Sequence, residues 1–230
     1  MEFNVDDERS WSVLHLGIKK NFKYFDANVL FNGEKNLLSA GHQLISVVLM
    51  GSKAQVHLMA IGQSFKANIE FNACVNQSGA ELVNSYVSIT EISEYAKFLP
   101  EEAKLARLNP KLPPQGMSAY CFYPMSKRRG ETYNWYTEDF ETRDNLMREH
   151  GKTGREFAGR VVQLVTGSTG LDDFEFGVTL FAKSFRDIKE VVYKMRFDEA
   201  SSRYAEFGPF VTGMVATNLN EALDMAGWLS

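Results

Sequence analysis

A single histidine, His150, follows Leu146 and Met147 in the segment LMREHGKTGREF. At helical spacings of three and four residues the three side chains share one stripe, so we expect His150 to point inward, toward a sheet. Such a histidine can be a packed core residue, a general base or a metal ligand. No GxSxG motif supports a catalytic triad. The other histidines have no zinc-type spacing to it; they are His15, His42 and His57.

One metal chemistry needs only a single protein ligand. In a haem site the porphyrin supplies four nitrogens, and one proximal histidine completes the coordination. The sequence has no CxxCH motif, so such a haem would be held non-covalently. The segment FYPMSKRR offers an aromatic hydroxyl and cations for propionates, and Gln163 is the odd polar residue in VVQLV. A solvated basic loop and a structural glutamine would explain the same residues, so the residues alone leave the haem site open.

The composition is that of an ordinary globular protein, with 44% hydrophobic and 23% charged residues. A net charge of −4 argues against broad nucleic-acid binding. The longest apolar run, LISVVLM, is too short to span a bilayer, and no leader pattern opens the chain, so we expect a cytoplasmic protein. Cys74 and Cys121 belong to no CxxC motif, which disfavours a disulfide scaffold or structural zinc.

Hydrophobic periodicity predicts the elements that would position these residues. In the first half we expect strands over 12–18, 55–62 and 65–75, the last with the most regular alternation. A short helical piece over 80–84 and a strand over 86–92 follow. A helix between the first two strands would carry one apolar face, formed by Leu37, Leu38, Leu44, Ile45 and Val48. The order is βαββαβ.

A proline-rich segment at 106–116 marks a boundary, after which the order repeats. Thr137 is expected to cap one helix, and Ser184 with Asp187 forms a capping box for the next. A short helix is predicted over 218–230. We therefore predict an α+β protein of the dimeric α+β barrel type, with two tandem ferredoxin-like units at 1–105 and 106–230. The strands of the second unit are expected over 119–126, 161–167, 174–182 and 207–215.

The second half closely resembles the chlorite dismutase-like superfamily, and within it the coproheme decarboxylases with a distal glutamine. The match is nearly continuous from Arg107 to about Gly213, whereas the first half matches only in layout. The resemblance implies a duplicated ferredoxin-like fold, a homopentamer and a non-covalent iron-coproporphyrin III or haem b. It rests on the segments CFYPMSKRRGETYNWY, LMREHGKTGREFAG, VVQLVTGSTGLDDFEFGVTLFA and VVYKMRFDEASSRYAEFGPF.

The resemblance also assigns residues by their place in these motifs. His150 takes the place of the proximal iron ligand, Gln163 the distal place, and Tyr123 that of the catalytic, redox-active tyrosine beside a propionate. Lys127 and Arg107 match cations that pair with propionates, although the loop after Arg107 is longer than in relatives. The other matched porphyrin-binding residues are Pro124, Met125, Ser126, Met195 and Ser201, the last as a propionate hydrogen-bond donor.

The implied reaction is the oxidative decarboxylation of two propionates of iron-coproporphyrin III to vinyl groups, giving haem b. Hydrogen peroxide is the oxidant, and a radical on Tyr123 passes the oxidising equivalent to the propionate. Chlorite dismutation is an alternative, but it uses a distal arginine where this chain has Gln163. Weak haem peroxidase activity, a non-catalytic haem carrier and an assembly without porphyrin are further alternatives. Phe176 stands where many relatives have a tryptophan.

Overall fold

The computed structural model describes residues 9–51, 53–96 and 98–229. The strands are β1 (Ser12–Lys19), β2 (Gln43–Leu49), β3 (Val56–Gly62), β4 (Glu81–Thr90), β5 (Ala119–Lys127), β6 (Val161–Gly167), β7 (Phe176–Ala182), β8 (Ala205–Phe207) and β9 (Val211–Val215). The helices are α1 (Ala27–Ser39), α2 (Phe65–Gln77), α3 (Glu101–Leu108), α4 (Phe140–Arg155), α5 (Phe185–Met195), α6 (Glu199–Ser202) and α7 (Leu219–Met225). Two 3-10 turns cover Glu94–Ala96 and Trp135–Thr137.

The strands form one antiparallel sheet in the order β7-β6-β4-β1-β3-β2-β9-β5-β8. An additional pairing of β7 with β5 closes the sheet into a barrel, with β8 as a side branch on β5. The runs β4-β1-β3-β2 and β9-β5-β7-β6 have the same order, so each half of the chain follows the βαββαβ layout. The predicted α+β class is confirmed. The predicted boundary at 105/106 falls inside α3 and stays a prediction.

The strand predicted over 65–75 is wrong, because these residues form helix α2. Ser64 caps that helix by accepting a hydrogen bond from the backbone N–H of Ala67. Ala67, Phe71 and Val75 are buried, whereas Ile69 is 67% exposed. The buried positions are four residues apart. This spacing puts residues on one face of a strand and also on one face of a helix, so the apolar pattern was compatible with both.

Two further first-half predictions are wrong. Helix α1 ends at Ser39, and Leu44, Ile45 and Val48 lie in β2 instead of on one helical face. Gly41, with a φ of 81°, follows the helix and supplies the left-handed residue that commonly ends one. The helical piece predicted over 80–84 is the beginning of β4.

The second half follows its predictions more closely. The Ser184–Asp187 capping box is confirmed, since Ser184 Oγ accepts from the Asp187 N–H at 3.2 Å. The cap of α4 is Asp139, which accepts from the Thr142 N–H at 2.8 Å, so the prediction of Thr137 as the cap is wrong. The strand predicted over 207–215 is divided into β8 and β9.

Each strand of the closed barrel has one face toward the barrel interior and one toward the helices. The interior contains residues from both halves, among them Val13, Met59 and Phe122. On the helix-bearing face, α1, α2 and α7 cover the first half, and α5 covers part of the second. Several of the residues matched to a porphyrin site, including Tyr123 and Gln163, lie on this helix-bearing face. No helix within the described residues is long and apolar enough to cross a membrane.

Candidate functional site

Helix α4, which carries the HGKTG motif, lies differently from α1, its counterpart in the first half. None of the residues of α4, all of which the structure describes, is buried, whereas α1 buries Leu30 and Leu37. Its main contacts are with α5, α6 and the turn Glu94–Ala96, not with the sheet. On β6, Gln163 and Val165 remain exposed, Val165 by 42%. The helix layer therefore leaves part of this face uncovered.

A glycine gives α4 room beside the histidine. Met147, Gly151 and Gly154 share one stripe of the helix. Met147 Sδ lies 4.0 Å from Lys127 Nζ, and a Cβ at Gly154 would lie 3.2 Å from Met195 Cε, so the stripe faces the protein body. A Cβ at Gly151, between them, would meet only the tip of an arginine from its own helix within 4 Å. This space suits a planar ligand next to the motif histidine.

His150 is held by Asp198, the residue that caps α6. Its Nδ1 lies 3.1 Å and 3.2 Å from the two carboxylate oxygens, and the side chain is 25% exposed. Although burial opposes it, hydrogen bonds from His150 and Ser201 hold the pKa of Asp198 below its ordinary value. An ionised carboxylate only accepts, so Nδ1 carries the proton and Nε2 is the nitrogen that can bind a metal. His150 is therefore partly exposed, and Asp198 is the partner of one of its ring nitrogens.

The strand register places Tyr123 and Gln163 on the same face. Tyr123 of β5 pairs with Val178 of β7, which pairs in turn with Val165 of β6. Gln163 pairs with Leu180, one row away. Directly opposed residues of antiparallel strands point to the same side, and so do residues two apart in a strand. The two polar side chains therefore share a mostly apolar, helix-bearing surface.

Tyr123 is buried among aromatic rings. Its ring stacks on Phe210 with centroids 4.4 Å apart and meets Phe207 at 5.7 Å. Burial, and to a lesser degree Cys121, raises the pKa of the Tyr123 phenol, while Arg196 opposes the rise. The Arg196 guanidinium lies 3.8 Å from the Phe207 ring centroid. Tyr123 is therefore a protonated phenol at neutral pH, with a cation beside it.

Lys127 lies at the end of β5, on the same face as Tyr123. Its Nζ is 3.9 Å from the centroid of the buried Trp135 ring. Burial lowers the pKa of Lys127 to about 8, although the charges of Asp198 and Glu175 oppose the shift. A desolvated ammonium group of this kind favours an anionic ligand, because a carboxylate would stabilise its charged form.

The structure places the remaining matched residues in different surroundings. Met125 and Met195 both pack on the apolar cluster around Tyr123. Ser201 is buried and donates its hydroxyl to Asp198 at 3.2 Å. It therefore contacts the partner of the histidine.

Three matched residues lie away from this group. Pro124 and Ser126 alternate with Tyr123 along β5 and so point to the opposite face, where Ser126 Oγ accepts from the Glu175 N–H. Arg107 is exposed in the last turn of α3 and forms no ion pair with any described residue. The geometry thus separates the motif positions into those on the helix-bearing face and those outside it.

Sequence reasoning missed Asp198, Arg196 and Trp135. Asp198 could be recognised as a helix cap, because Ser201 follows it by three residues. Its contact with His150, 48 positions earlier, depends on how α4 packs on α6. Arg196 and Trp135 belong to no recognised motif. Their contacts in the structure identify them, because Arg196 packs on the Phe207 ring and Lys127 packs on the Trp135 ring.

These residues fit an iron porphyrin. Within the described ranges no group of three or more histidine, cysteine or carboxylate side chains could hold a metal, so the single imidazole of His150 suits a metal that brings its own donors. Gly151 leaves room beside the imidazole, and Lys127 and Arg196 are cations for propionates. The fold is thus a duplicated α+β barrel, and the site has the residue types that a porphyrin needs.

The chain belongs to the chlorite dismutase family, whose model matches residues 27–216. It is 43% identical over 186 residues to a coproheme decarboxylase from Staphylococcus saprophyticus, covering 75% of this chain and 72% of that one. A heme-binding protein from Thermus thermophilus is 32% identical, with a TM-score of 0.83 and 95% of both chains covered. A mutant of chlorite dismutase from Candidatus Nitrospira defluvii is 16% identical, with a TM-score of 0.77 over 96% of both chains, and shares the fold.

These relatives confirm three sequence predictions. The resemblance to the chlorite dismutase-like superfamily and the fold class hold, and the chain is an enzyme of this family with a haem-related function. The roles assigned to individual residues, the oxidant and the oligomeric state stay predictions.

Proposed function

We propose that this protein converts iron-coproporphyrin III to haem b by peroxide-dependent oxidation of two propionates. The observation that carries the proposal is the position of Tyr123: a buried, protonated phenol on the same face as Gln163, with the Arg196 guanidinium nearby. A non-catalytic carrier would not need such a phenol. The 43% identity to a protein named coproheme decarboxylase supports the same substrate.

In this proposal His150 Nε2 binds the iron, and Asp198 fixes the ring orientation and raises the basicity of the imidazole. Lys127 and Arg196 bind propionates and so decide which one meets Tyr123. The bound iron porphyrin supplies the reaction with hydrogen peroxide and stores its oxidising equivalents. We assign Ser201 to positioning Asp198, because its hydroxyl donates to that carboxylate.

The radical chemistry rests on the Tyr123 phenol. The phenol gives up an electron and a proton, and then takes a hydrogen atom from the propionate side chain. The propionate loses a further electron and carbon dioxide and becomes a vinyl group. For each propionate, one hydrogen peroxide is reduced to two water molecules. Gln163 can donate a hydrogen bond to a distal ligand but cannot act as a strong base, so peroxide activation is slow.

The homopentamer implied by the family resemblance is part of the proposal. Light scattering coupled to gel filtration would measure the mass of the assembly directly. A monomer of 26.0 kDa would contradict it.

The test is to mix the purified protein with ferric coproheme, titrate in hydrogen peroxide and weigh the porphyrin by mass spectrometry. We expect stepwise loss of two carboxyl groups. Tyr123→Phe should bind coproheme with an unchanged Soret band but lose the mass change. The matched control is Tyr120→Phe, on the same strand but facing the barrel interior, which should retain it.

Each other outcome has a meaning. Binding without mass loss in the wild type would contradict the decarboxylase proposal and make chlorite the next substrate to test. Equal turnover by Tyr123→Phe would remove the tyrosine from the mechanism.

A further inference from the structure

A chain of oxidisable rings leads from the Lys127 side of the site toward the surface. The Lys127 ammonium lies 3.9 Å from the Trp135 ring centroid. Trp135 meets Tyr204 at 5.3 Å, and Tyr204 meets Tyr133 at 5.9 Å, both edge-on. These separations are within the range of direct aromatic contact. Electron transfer falls steeply with distance, so contacting indole and phenol rings offer short steps.

The middle ring of this chain has a proton acceptor. Tyr204 Oη donates a hydrogen bond to Glu138 Oε1 at 2.7 Å, within the distance that direct proton transfer requires. Burial, together with Glu138, raises the pKa of Tyr204 to about 12, so the phenol keeps its proton at neutral pH. When Tyr204 loses an electron its proton must leave, and Glu138 can take it without water.

The outer end of the chain opens into a cleft between α4 and α6. Tyr133, Tyr204 and Glu138 line it, and Leu146 and the exposed Phe197 add apolar walls. Its volume of about 1030 Å³ is at the upper end of the range for small-molecule sites. The rest of the lining is polar or charged, including Asn145, Lys194 and Arg203. Aromatic rings among hydrogen-bonding groups suit a small phenol, which has an apolar ring and a polar hydroxyl.

We propose that this cleft is a second oxidation site, at which small phenolic reductants are oxidised through Tyr133, Tyr204 and Trp135. The proposal rests on the proposed function for its oxidant, hydrogen peroxide reacting at the porphyrin site. Each peroxide removes two electrons, one at a time, from Trp135, and each is replaced through Tyr204 and Tyr133. Glu138 holds the Tyr204 proton and returns it when the electron arrives. In sum, two phenols lose one hydrogen atom each, forming two phenoxyl radicals, and peroxide becomes two waters.

Tyr193 provides a matched control inside the same protein. It is 57% exposed on α5, and among the described residues its ring contact is with Phe197, at 5.2 Å. Phenylalanine is far harder to oxidise than tyrosine or tryptophan, so this contact provides no comparable route. An oxidant diffusing in solution would attack Tyr193 readily, whereas the proposed chain would reach Tyr133.

The experiment locates radicals on the protein, a readout that does not depend on enzyme turnover. The protein loaded with ferric haem b or coproheme is treated with hydrogen peroxide and the spin trap 2-methyl-2-nitrosopropane, and adducts are located by peptide mass spectrometry. We expect adducts on Tyr133 or Tyr204 in the wild type. Trp135→Phe and Glu138→Gln should lose the Tyr133 adduct, and Tyr193→Phe should leave it unchanged. An added phenol should suppress the adduct.

Other outcomes separate this proposal from the proposed function. Three results would overturn the proposal that electrons enter through the cleft. They are labelling mainly on Tyr193, labelling that Trp135→Phe does not change, and labelling confined to Tyr95, whose ring also contacts Trp135. The mass of the porphyrin from the coproheme-loaded samples is measured as well: labelling of Tyr133 without decarboxylation there would contradict the proposed function alone. A missing Soret shift on mixing with either porphyrin would overturn both.

Discussion

The two halves of the barrel share a strand order but cover their sheets differently. In the first half, α1 and α2 lie on the sheet, and α7 joins them although it follows the last strand of the second half. In the second half, α5 lies on the sheet and α4 does not. The first face is thus filled by protein, whereas part of the second remains open. One layout therefore gives a packed support in one half and a partly open face in the other.

Two glycines inside helices show the same difference between the packed first half and the open second half. A Cβ on Gly33 of α1 would lie 2.7 Å from Cys74 Cβ of α2, so this glycine lets two helices approach closely. A Cβ on Gly151 of α4 would have no such neighbour. Both glycines weaken their helices, but one makes room for a neighbouring helix and the other leaves open space next to His150.

The largest expected effect tests whether the first half is a packed core. Phe71→Ala removes a nearly fully buried ring from α2 and should lower the free energy of unfolding by about 3–5 kcal/mol. Met147→Ala, on the half-exposed α4, should cost about 1 kcal/mol or less in the protein without porphyrin. Urea denaturation of both variants measures the difference. Similar losses would mean that α4 is packed as tightly as α2.

The second prediction concerns the gain in stability on ligand binding. Coproheme at one hundred times its dissociation constant should stabilise the wild type by about 2.7 kcal/mol. In the proposed function His150→Ala removes the iron ligand, so it should lose much of this gain. Without porphyrin it should be slightly less stable than the wild type, because Asp198 loses a hydrogen-bond partner. Thermal unfolding with and without coproheme checks this. As a control, His42→Gln alters a buried first-half histidine and should leave the ligand-induced gain intact. An unchanged gain in His150→Ala would exclude the histidine as the ligand.

The third prediction uses the pKa of Lys127, lowered by burial from 10.5 to about 8. If only the charged form pairs with a propionate, coproheme affinity should fall by up to about tenfold per pH unit above 8. In the protein without porphyrin, the free energy of unfolding should instead rise as the pH rises above 8. Below pH 8 the folded state carries a buried charge, and between 8 and 10.5 the unfolded chain binds more protons, so stability rises with pH.

Lys127→Arg sharpens this test, because arginine stays charged over the whole range. Its coproheme affinity should be nearly constant between pH 8 and 10, measured by Soret titration. A wild-type affinity that is equally constant would exclude Lys127 from propionate binding.

The comparison of halves also shows what sequence reasoning can reach. Alternation along β5 and β6 puts Tyr123 and Gln163 on odd positions, but only the register across β7 shows that they share one face of the sheet. In α2, burial at every fourth residue also matched a strand, and the Ser64 cap was the signal that distinguished them. The His150–Asp198 contact joins elements 48 residues apart. The local sequence pattern determines which face of an element a residue lies on and where a helix is capped. Packing between elements determines which distant residues contact each other.

The smallest expected effect compares the two glycines directly. Gly151→Ala should stabilise the protein without porphyrin by about 1 kcal/mol, since alanine favours the helix and its methyl group meets no other element. Gly33→Ala should instead destabilise it, because the new methyl group would overlap Cys74. Urea denaturation measures both signs, and Soret titration should show weaker coproheme binding only for Gly151→Ala. If Gly151→Ala bound coproheme as tightly as the wild type, the space beneath α4 would not be where the porphyrin lies, and the open face of the second half would need another occupant.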